Sequence, residues 1–276
     1  MTENPKEQTQ HSSERLRNSF KPEYEIKRIS EFIRKYVKNA GARGVVVGIS
    51  GGIDSAVVAS LCKKALNSNR VMGLLLFEDD ARGSKDYNDA KEVVSKLRIK
   101  SMEFRLTPVV KTFQQILNSA NIAPSKITLA NIKARSRMIL LYAVANQKQL
   151  LVAGTGDKSE AQIGYFTKYG DGGADFLPIA HLYKTEVRAL GSQLGVPDNI
   201  VNKPSSPNLW KDHKITDEIP ADYPILDKVL TLLYDSRKSP NEVSKLSGVS
   251  LKVVNETIRR HIISNHKREM PAAIPD

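Results

Sequence analysis

"VVVGISGGIDSAVVASL", residues 45–61, runs from a string of β-branched residues through a serine, two glycines, an acid and a second serine into small apolar residues at helical spacing. That order predicts a strand over 44–49, a tight polar turn and a helix over 54–67. A strand that ends in glycine-rich backbone and enters a helix aims free N–H groups and the positive end of a helix dipole at one point in space. Such a point suits a phosphate. Gly48, Ile49, Ser50, Gly51, Gly52, Ile53, Asp54 and Ser55 therefore form a candidate phosphate loop. Gly51 and Gly52 let the backbone approach closely, Ser50 and Ser55 add hydroxyl donors, and Asp54 in the first helical turn offers a carboxylate to a divalent cation. No lysine follows the glycines in the manner of G-x-x-x-x-G-K-[ST], so a grip on the β and γ phosphates through that lysine is excluded. Residues 48–52 also fit the nucleophile elbow G-x-S-x-G, with Ser50 as an acylating serine. An elbow needs earlier strands and an oxyanion loop, whereas only a polar tail and one helix precede this strand. A plain strand-to-helix turn leaves the Asp-Ser pair and both hydroxyls unexplained.

Working outward, residues 1–20 read as a disordered polar tail and 21–276 as one domain. "PEYEIKRISEFIRKYVKNAG" places Ile26, Ile29, Phe32, Ile33 and Val37 at helical spacing and stops at Gly41. After the loop come a strand "RVMGLLLF", a polar loop, an amphipathic helix to Leu97, a short strand "SMEFRL", a helix "VVKTFQQILNSA", a longer helix "TLANIKARSRMILLYAVANQ" and a strand "QLLVAGTG". Strands alternating with helices predict an α/β fold: a twisted parallel sheet with helices on both faces, its strand ends at 49, 77 and 153 aligned on one ligand-binding rim. Beyond 160 the chain turns to glycine-rich and proline-punctuated loops, of the kind that serve as lids or binding segments. A helical segment over 224–265 ends it, and the stretch at 240–260 has a helix-turn-helix look.

Composition narrows the class. The 276 residues carry 42 Lys and Arg against 30 Asp and Glu, a net charge of +12 that favours anionic partners such as nucleotides or RNA. The basic residues are scattered rather than run together, which reads as solvated faces. No apolar stretch is long enough for a membrane span and the N-terminus has no signal-peptide core, so a cytoplasmic protein without a membrane partner is expected. One cysteine, Cys62, precludes an internal disulfide and falls in the helix after the loop, where a core thiol is the expected role. The five histidines have no metal-ligand spacing with it or with one another. "GTGDKS" at 154–159 lacks the third glycine of the dinucleotide fingerprint G-x-G-x-x-G.

"SGGIDS" resembles the S-G-G-x-D-S loop of the ATP pyrophosphatase superfamily, which cleaves ATP between the α and β phosphates. The likeness continues through "ARSRM" at 134–138, "GTGDKSEAQIGYFTKYGDGGADFLPIAHLYKTEVR" at 154–188 and "HKREMP" at 266–271. Together these resemble ammonia-dependent NAD synthetase over roughly 25–270. "GYFTKYGDGGADFLP" is the most specific of them. The resemblance implies amidation of the nicotinate carboxylate of deamido-NAD by ammonia, with ATP converted to AMP and pyrophosphate. It implies Mg2+ on Asp54 and Glu160, and an ATP site completed by Thr155, Lys184 and Ser206, with Ser205 as the alternative to Ser206. Arg135, Lys168, Asp175, His266 and Lys267 fall at the positions that bind deamido-NAD, and the family forms homodimers.

The chemistry agrees with those residue types. A carboxylate resists ammonia until adenylation gives it AMP as a leaving group, and a departing pyrophosphate needs cations such as Lys184. Ammonium must lose a proton before it attacks, for which Asp171 or Asp175 is a candidate base; Asp54, Asp175 and Lys184 form the expected catalytic set. A tRNA-modifying pyrophosphatase is the nearest rival, yet such thiolases bring paired cysteines and do not predict "FTKYGDGGAD". A glutaminase-coupled enzyme needs a second domain and a nucleophile for glutamine. A nucleotide-binding regulatory protein would not need Asp54 with Glu160. The helix pair at 240–260 offers Lys252, Asn255 and Arg259 to a nucleic acid, weak support for a DNA reader in a chain without a second basic arm; no nucleic-acid partner is expected.

Overall fold

The apolar run after Arg43 forms the central strand of a four-stranded sheet in the computed structural model, which describes residues 20–204 and 218–274. Strand β1 (Gly44–Gly48) pairs in parallel with β2 (Val71–Phe77) on one side and β4 (Leu150–Val152) on the other; β3 (Lys100–Arg105) lies outside β2. The order is β3-β2-β1-β4. Val45 and Val47 face one side of the sheet and Val46 the other, and all three are fully buried, which is why β1 is a continuous apolar run rather than an alternating one.

The first face is covered by α1 (Pro22–Asn39) through Ile26, Ile29, Ile33 and Val37, by α2 (Ile53–Leu66), and by α3 (Lys85–Leu97) through Ala90 and Val93. Helix α2 is buried almost all round, and that accounts for its lack of a polar stripe. Cys62 lies inside it with its thiol pushed up to about 12 by burial, a core residue and no nucleophile. The other face is covered by α4 (Thr107–Ser119) and α5 (Lys126–Lys148), where Val110, Val144 and Ala145 meet Val46, Leu74 and Val152.

β4 is shorter than the expected 149–156. Past Val152 the chain exchanges its partner: Asp175 donates its N–H to the Val152 carbonyl (3.0 Å) and Gly154 donates to Phe176 (2.9 Å), so the segment at 175–176 continues the sheet where β4 stops. Helices α6 (Lys158–Ile163), α7 (Lys184–Gln193) and α8 (Asp198–Val201) follow. α9 (Tyr223–Leu230), a π turn over Thr231–Asp235, α10 (Pro240–Ser247), α11 (Leu251–Ile263) and α12 (Asn265–Arg268) close the chain around Val229, Leu232, Val243 and Val254. No described helix is long and apolar enough to cross a membrane. The tail expected over 1–20 falls almost wholly outside the described residues, as do Ser205 and Ser206.

Candidate active site

The sheet order changes direction at β1: the chain steps outward through β2 and β3, then returns to β1's other side with β4. A crevice opens at the carboxyl ends of strands at such a point because the connections leave to opposite faces. A cavity of about 810 Å³ occupies it, lined by Gly48–Ser50 and Gly52–Asp54 at the end of β1, Phe77 and Glu78 at the end of β2, and Val152–Thr155 at the end of β4. The rim expected from 49, 77 and 153 is therefore one continuous wall.

Within the loop, the two serines lock one another. Ser50 Oγ and Ser55 Oγ are 3.1 Å apart, Ser50 N–H donates to Ser55 Oγ (3.2 Å), Gly52 N–H donates to Ser50 Oγ (3.2 Å), and Ser55 Oγ donates to the Gly52 carbonyl (3.0 Å). Gly51 takes φ +80°, and a Cβ there would meet the Asp86 carbonyl at 2.1 Å, so only glycine fits both the dihedral and the neighbour. Lys203 reinforces the turn from outside: its Nζ contacts Asp86, donates to Asp89 (2.6 Å), and reaches the Gly51 carbonyl (3.3 Å). Among the described residues the Ser50 hydroxyl donates to no histidine and meets Ser55 instead, so the elbow reading of the loop finds no base there.

Opposite the loop, Lys184 at the start of α7 is 1% exposed and holds its Nζ 2.8 Å from Asp54 Oδ2, 2.7 Å from Asp157 Oδ2 and 2.9 Å from Glu160 Oε1. Burial alone would depress that ammonium; Asp157, Asp54 and Glu160 outweigh it and hold it well above the ordinary lysine range. Burial raises the Asp157 carboxyl to about 6 despite Lys184, and raises Glu160 well above the ordinary glutamate range, with Asp157 adding repulsion. One ligand atom each from Asp54, Asp157 and Glu160 lie within 4.8 Å of one another. Carboxylate oxygens are the donors a hard divalent cation takes, and Asp54 Oδ1 is buried with no hydrogen-bond partner among the described residues, so the set fits such an ion.

The family comparison now bears on this geometry: the sequence profile of NAD synthase matches residues 25–271. The chain belongs to the NAD synthase family. It is 44% identical over 248 residues to the NH3-dependent NAD+ synthetase of Hyperthermus butylicus, covering 90% of this chain and 88% of that one. It is 42% identical over 245 residues to the protein of the same name from Saccharolobus solfataricus, covering 88% and 86%. Among solved structures, the NMN synthetase from Francisella tularensis is similar with a TM-score of 0.81 at 33% identity, covering 94% of this chain and all of that one. The NH3-dependent NAD synthetase from Campylobacter jejuni, in complex with nitrate, has a TM-score of 0.77 at 30% identity, covering 93% and 100%.

In this NAD synthase chain the remaining expected residues that the structure describes fall in three places. Thr155, Glu160, Lys184 and Lys267 line the cavity with the loop. Lys267 donates to the carbonyls of Gly164 (2.8 Å) and Phe166 (2.9 Å), which ties the C-terminal helix to the glycine-rich segment. Arg135, Lys168 and His266 instead gather beside the cavity: an Arg135 guanidinium N–H donates to the Lys168 carbonyl (3.3 Å), and Lys168 Nζ donates to the His266 carbonyl. Asp175 is turned into the sheet edge, where its Oδ2 accepts the Val152 N–H (2.7 Å) and its Oδ1 the Tyr142 hydroxyl (3.2 Å). Asp171 is the acid of "GDGGAD" that lines the cavity; it is exposed there, and its Oδ1 accepts the Thr167 N–H (2.9 Å).

Three functional contributions escaped the sequence reading. Asp157 carried a signal, an acid three residues ahead of Glu160 at a helix start, the spacing of a cap; it caps α6 by accepting the Glu160 N–H (2.8 Å). Asp227 carried none. It comes from α9, is 4% exposed, and accepts from Ser159 Oγ (2.5 Å) and Thr185 N–H (2.8 Å), while Ser159 Oγ in turn accepts the Lys184 N–H (2.9 Å). One buried carboxylate thereby fixes the starts of both helices that carry Glu160 and Lys184. Lys203 also lacked a local pattern, because its partners lie more than a hundred residues away.

Proposed function

We propose that the chain acts as an ammonia-dependent NAD synthetase: it adenylates the nicotinate carboxylate of deamido-NAD with ATP and lets ammonia displace AMP to give NAD. The single observation that supports this most is the meeting of the S-G-G-x-D-S loop with Lys184 and Glu160 in one cavity at the sheet's switch point. A carboxylate oxygen attacks the α-phosphorus, the bond to the bridging oxygen of the β-phosphate breaks, and pyrophosphate leaves into the loop. Ser50 and Gly52 line the cavity on that side, with buried Ser55 holding Ser50 and Gly52 in place, and Lys184 meets the negative charge of the leaving group. Asp54 and Glu160 are the residues that would hold Mg2+, with Asp157 behind them. Mg2+ bound there supplies positive charge opposite the departing pyrophosphate. Ammonia then attacks the acyl carbon, AMP leaves with the electrons of the C–O bond, and the nitrogen sheds a proton. Asp171, exposed on the cavity wall, is better placed to take a proton from ammonium than Asp175, whose two oxygens accept from Tyr142 and Val152.

Arg135, Lys168, Asp175, His266 and Lys267 are proposed for the dinucleotide, with Thr155 and Ser206 for ATP. A homodimer is proposed because α4 and α5 leave Phe113, Ile116, Ile127 and Ile139 at least 41% exposed on the covering face. Ile127 also lines the cavity, so a second copy on that face would border the substrate. A cytoplasmic setting fits the lone buried thiol. On α11, Arg259 and Arg260 are both paired to Glu256, which gives no support to nucleic-acid binding there.

The test is to incubate the protein with ATP, Mg2+, ammonium and deamido-NAD, and in parallel with the corresponding nicotinate mononucleotide, and to identify products. NAD with AMP and pyrophosphate is expected from the dinucleotide. ADP and phosphate, or turnover indifferent to deamido-NAD, refutes the proposal; preference for the mononucleotide moves the substrate to that of the Francisella structure's namesake.

A further inference from the structure

Three carboxylates meet the Lys184 ammonium, but they do not share one orientation. Asp54 and Glu160 keep 22% of their side chains exposed and line the cavity together with Lys184. Asp157 is wholly buried, behind the cavity wall. Its two oxygens are also committed differently. Oδ1 accepts the Glu160 N–H at 2.8 Å as the cap of α6, and Oδ2 lies 2.7 Å from Lys184 Nζ. A carboxylate fixed in that way turns toward the cavity only by giving up the cap; among the described residues Asp54 Oδ1 and Asp157 Oδ2 both lack a hydrogen-bond partner, but only Asp54 lines the cavity an ion would enter.

A divalent cation taken by Asp54 and Glu160 withdraws two of the three anions from Lys184 and repels its ammonium. Asp157 is then the one acid left to hold it. Two charges on the ion and one on the lysine balance three carboxylates, so with Asp157 in place this cluster is neutral overall and its one fully buried acid is the one behind the cavity wall. We propose that Asp157 is a positioning residue, the buried counter-ion that retains Lys184 at the phosphate side of the cavity while Asp54 and Glu160 serve the metal. The proposal rests on the reading of Asp54, Glu160 and Lys184 given above.

Asp157→Asn keeps an oxygen for the Glu160 cap and removes the charge facing Lys184. Calorimetry with α,β-methylene ATP and Mg2+ is run on the wild type, Asp157→Asn, Lys184→Met and the double variant, and Mn2+ binding to each protein alone is followed by electron paramagnetic resonance. Asp157→Asn is expected to weaken nucleotide binding about tenfold, the loss typical of one charge-assisted contact. The double variant is expected to bind no more weakly than Lys184→Met alone, because a residue that acts only through another adds nothing once that other is gone. Mn2+ affinity is expected to stay within about threefold in Asp157→Asn, against at least tenfold loss in Asp54→Asn. Additive losses in the double variant overturn the proposal, as does a greater loss of Mn2+ than of nucleotide, which would make Asp157 a ligand of the ion. A wild-type protein that binds no analogue at all sinks the underlying reading of the site, a result distinct from additivity. Asp157→Ser, which retains the cap, and Lys184→Gln replace any variant that fails to fold.

Discussion

Replacing Lys184 by methionine preserves volume and removes one charge from the most polar buried point of the molecule. Its Nζ is 2.8 Å from Asp54, and at an effective dielectric of about 20 a unit pair at that distance attracts by about 6 kcal/mol. Three such pairs are opposed by repulsion among the acids and by the desolvation of four charges, which is why breaking a buried pair leaves a measured loss of about 3–5 kcal/mol rather than their sum. That range is the expected destabilisation at pH 8 without divalent cation, a fall in Tm on the order of 10 °C. The loss depends on pH with a definite sign. Asp157 titrates at about 6 in the folded protein against 3.8 in a free chain, and Glu160 is raised too. Without the lysine both rise further, so between pH 4 and somewhat above 6 the folded state binds more protons than the unfolded one and stability falls as pH rises. The deficit of Lys184→Met should therefore be greatest at pH 8, shrink toward pH 4.5 as the acids protonate, and be partly restored by millimolar Mg2+. Urea denaturation at several pH values with and without Mg2+ measures all three. A variant within 1 kcal/mol of the wild type at pH 8, or a deficit that grows on acidification, would falsify the account of an ammonium neutralising buried acids.

Asp54→Asn should fold normally and lose at least about a hundredfold in AMP formation, the scale of a metal ion's contribution to charge stabilisation, and assays over a range of Mg2+ concentration reveal whether excess ion compensates. Gly51→Ala places a Cβ 2.1 Å from the Asp86 carbonyl at a φ of +80°, at a cost of about 1–2 kcal/mol from the dihedral alone and more from the clash; a clear fall in Tm and a raised KM for ATP are expected, and an unchanged KM would mean that the loop does not meet phosphate. Asp171→Asn should change how rate depends on ammonium concentration and pH, whereas Asp175→Asn should leave that profile alone and lower stability by about 1–3 kcal/mol through the Val152 N–H it abandons; the opposite pattern restores Asp175 as the proton acceptor.

The alternation of strands and helices, the parallel sheet and the position of the glycine-rich turn between β1 and α2 were legible because each depends on residues close in sequence: β-branched runs buried on both faces, glycines at a turn, apolar residues at helical spacing. Family resemblance added the identity of Glu160 and Lys184, and the fold places both against Asp54. What sequence left undetermined is how "GDGGAD" divides its labour. Asp171 and Asp175 are equivalent as residues, and only the sheet edge distinguishes them, because β4 ends early and the chain at 175–176 supplies the missing partner to Val152. Asp227 and Lys203 were silent, and Asp157 signalled only a helix cap, for a related reason: a buried charge is set by partners brought from α6, α7, α9 and the loop after β1, up to 152 residues apart. Local order writes the loop that can take a phosphate. Tertiary packing alone decides which acids face the cavity and which are spent holding the lysine, since desolvation and charge pairing act through space and not along the chain.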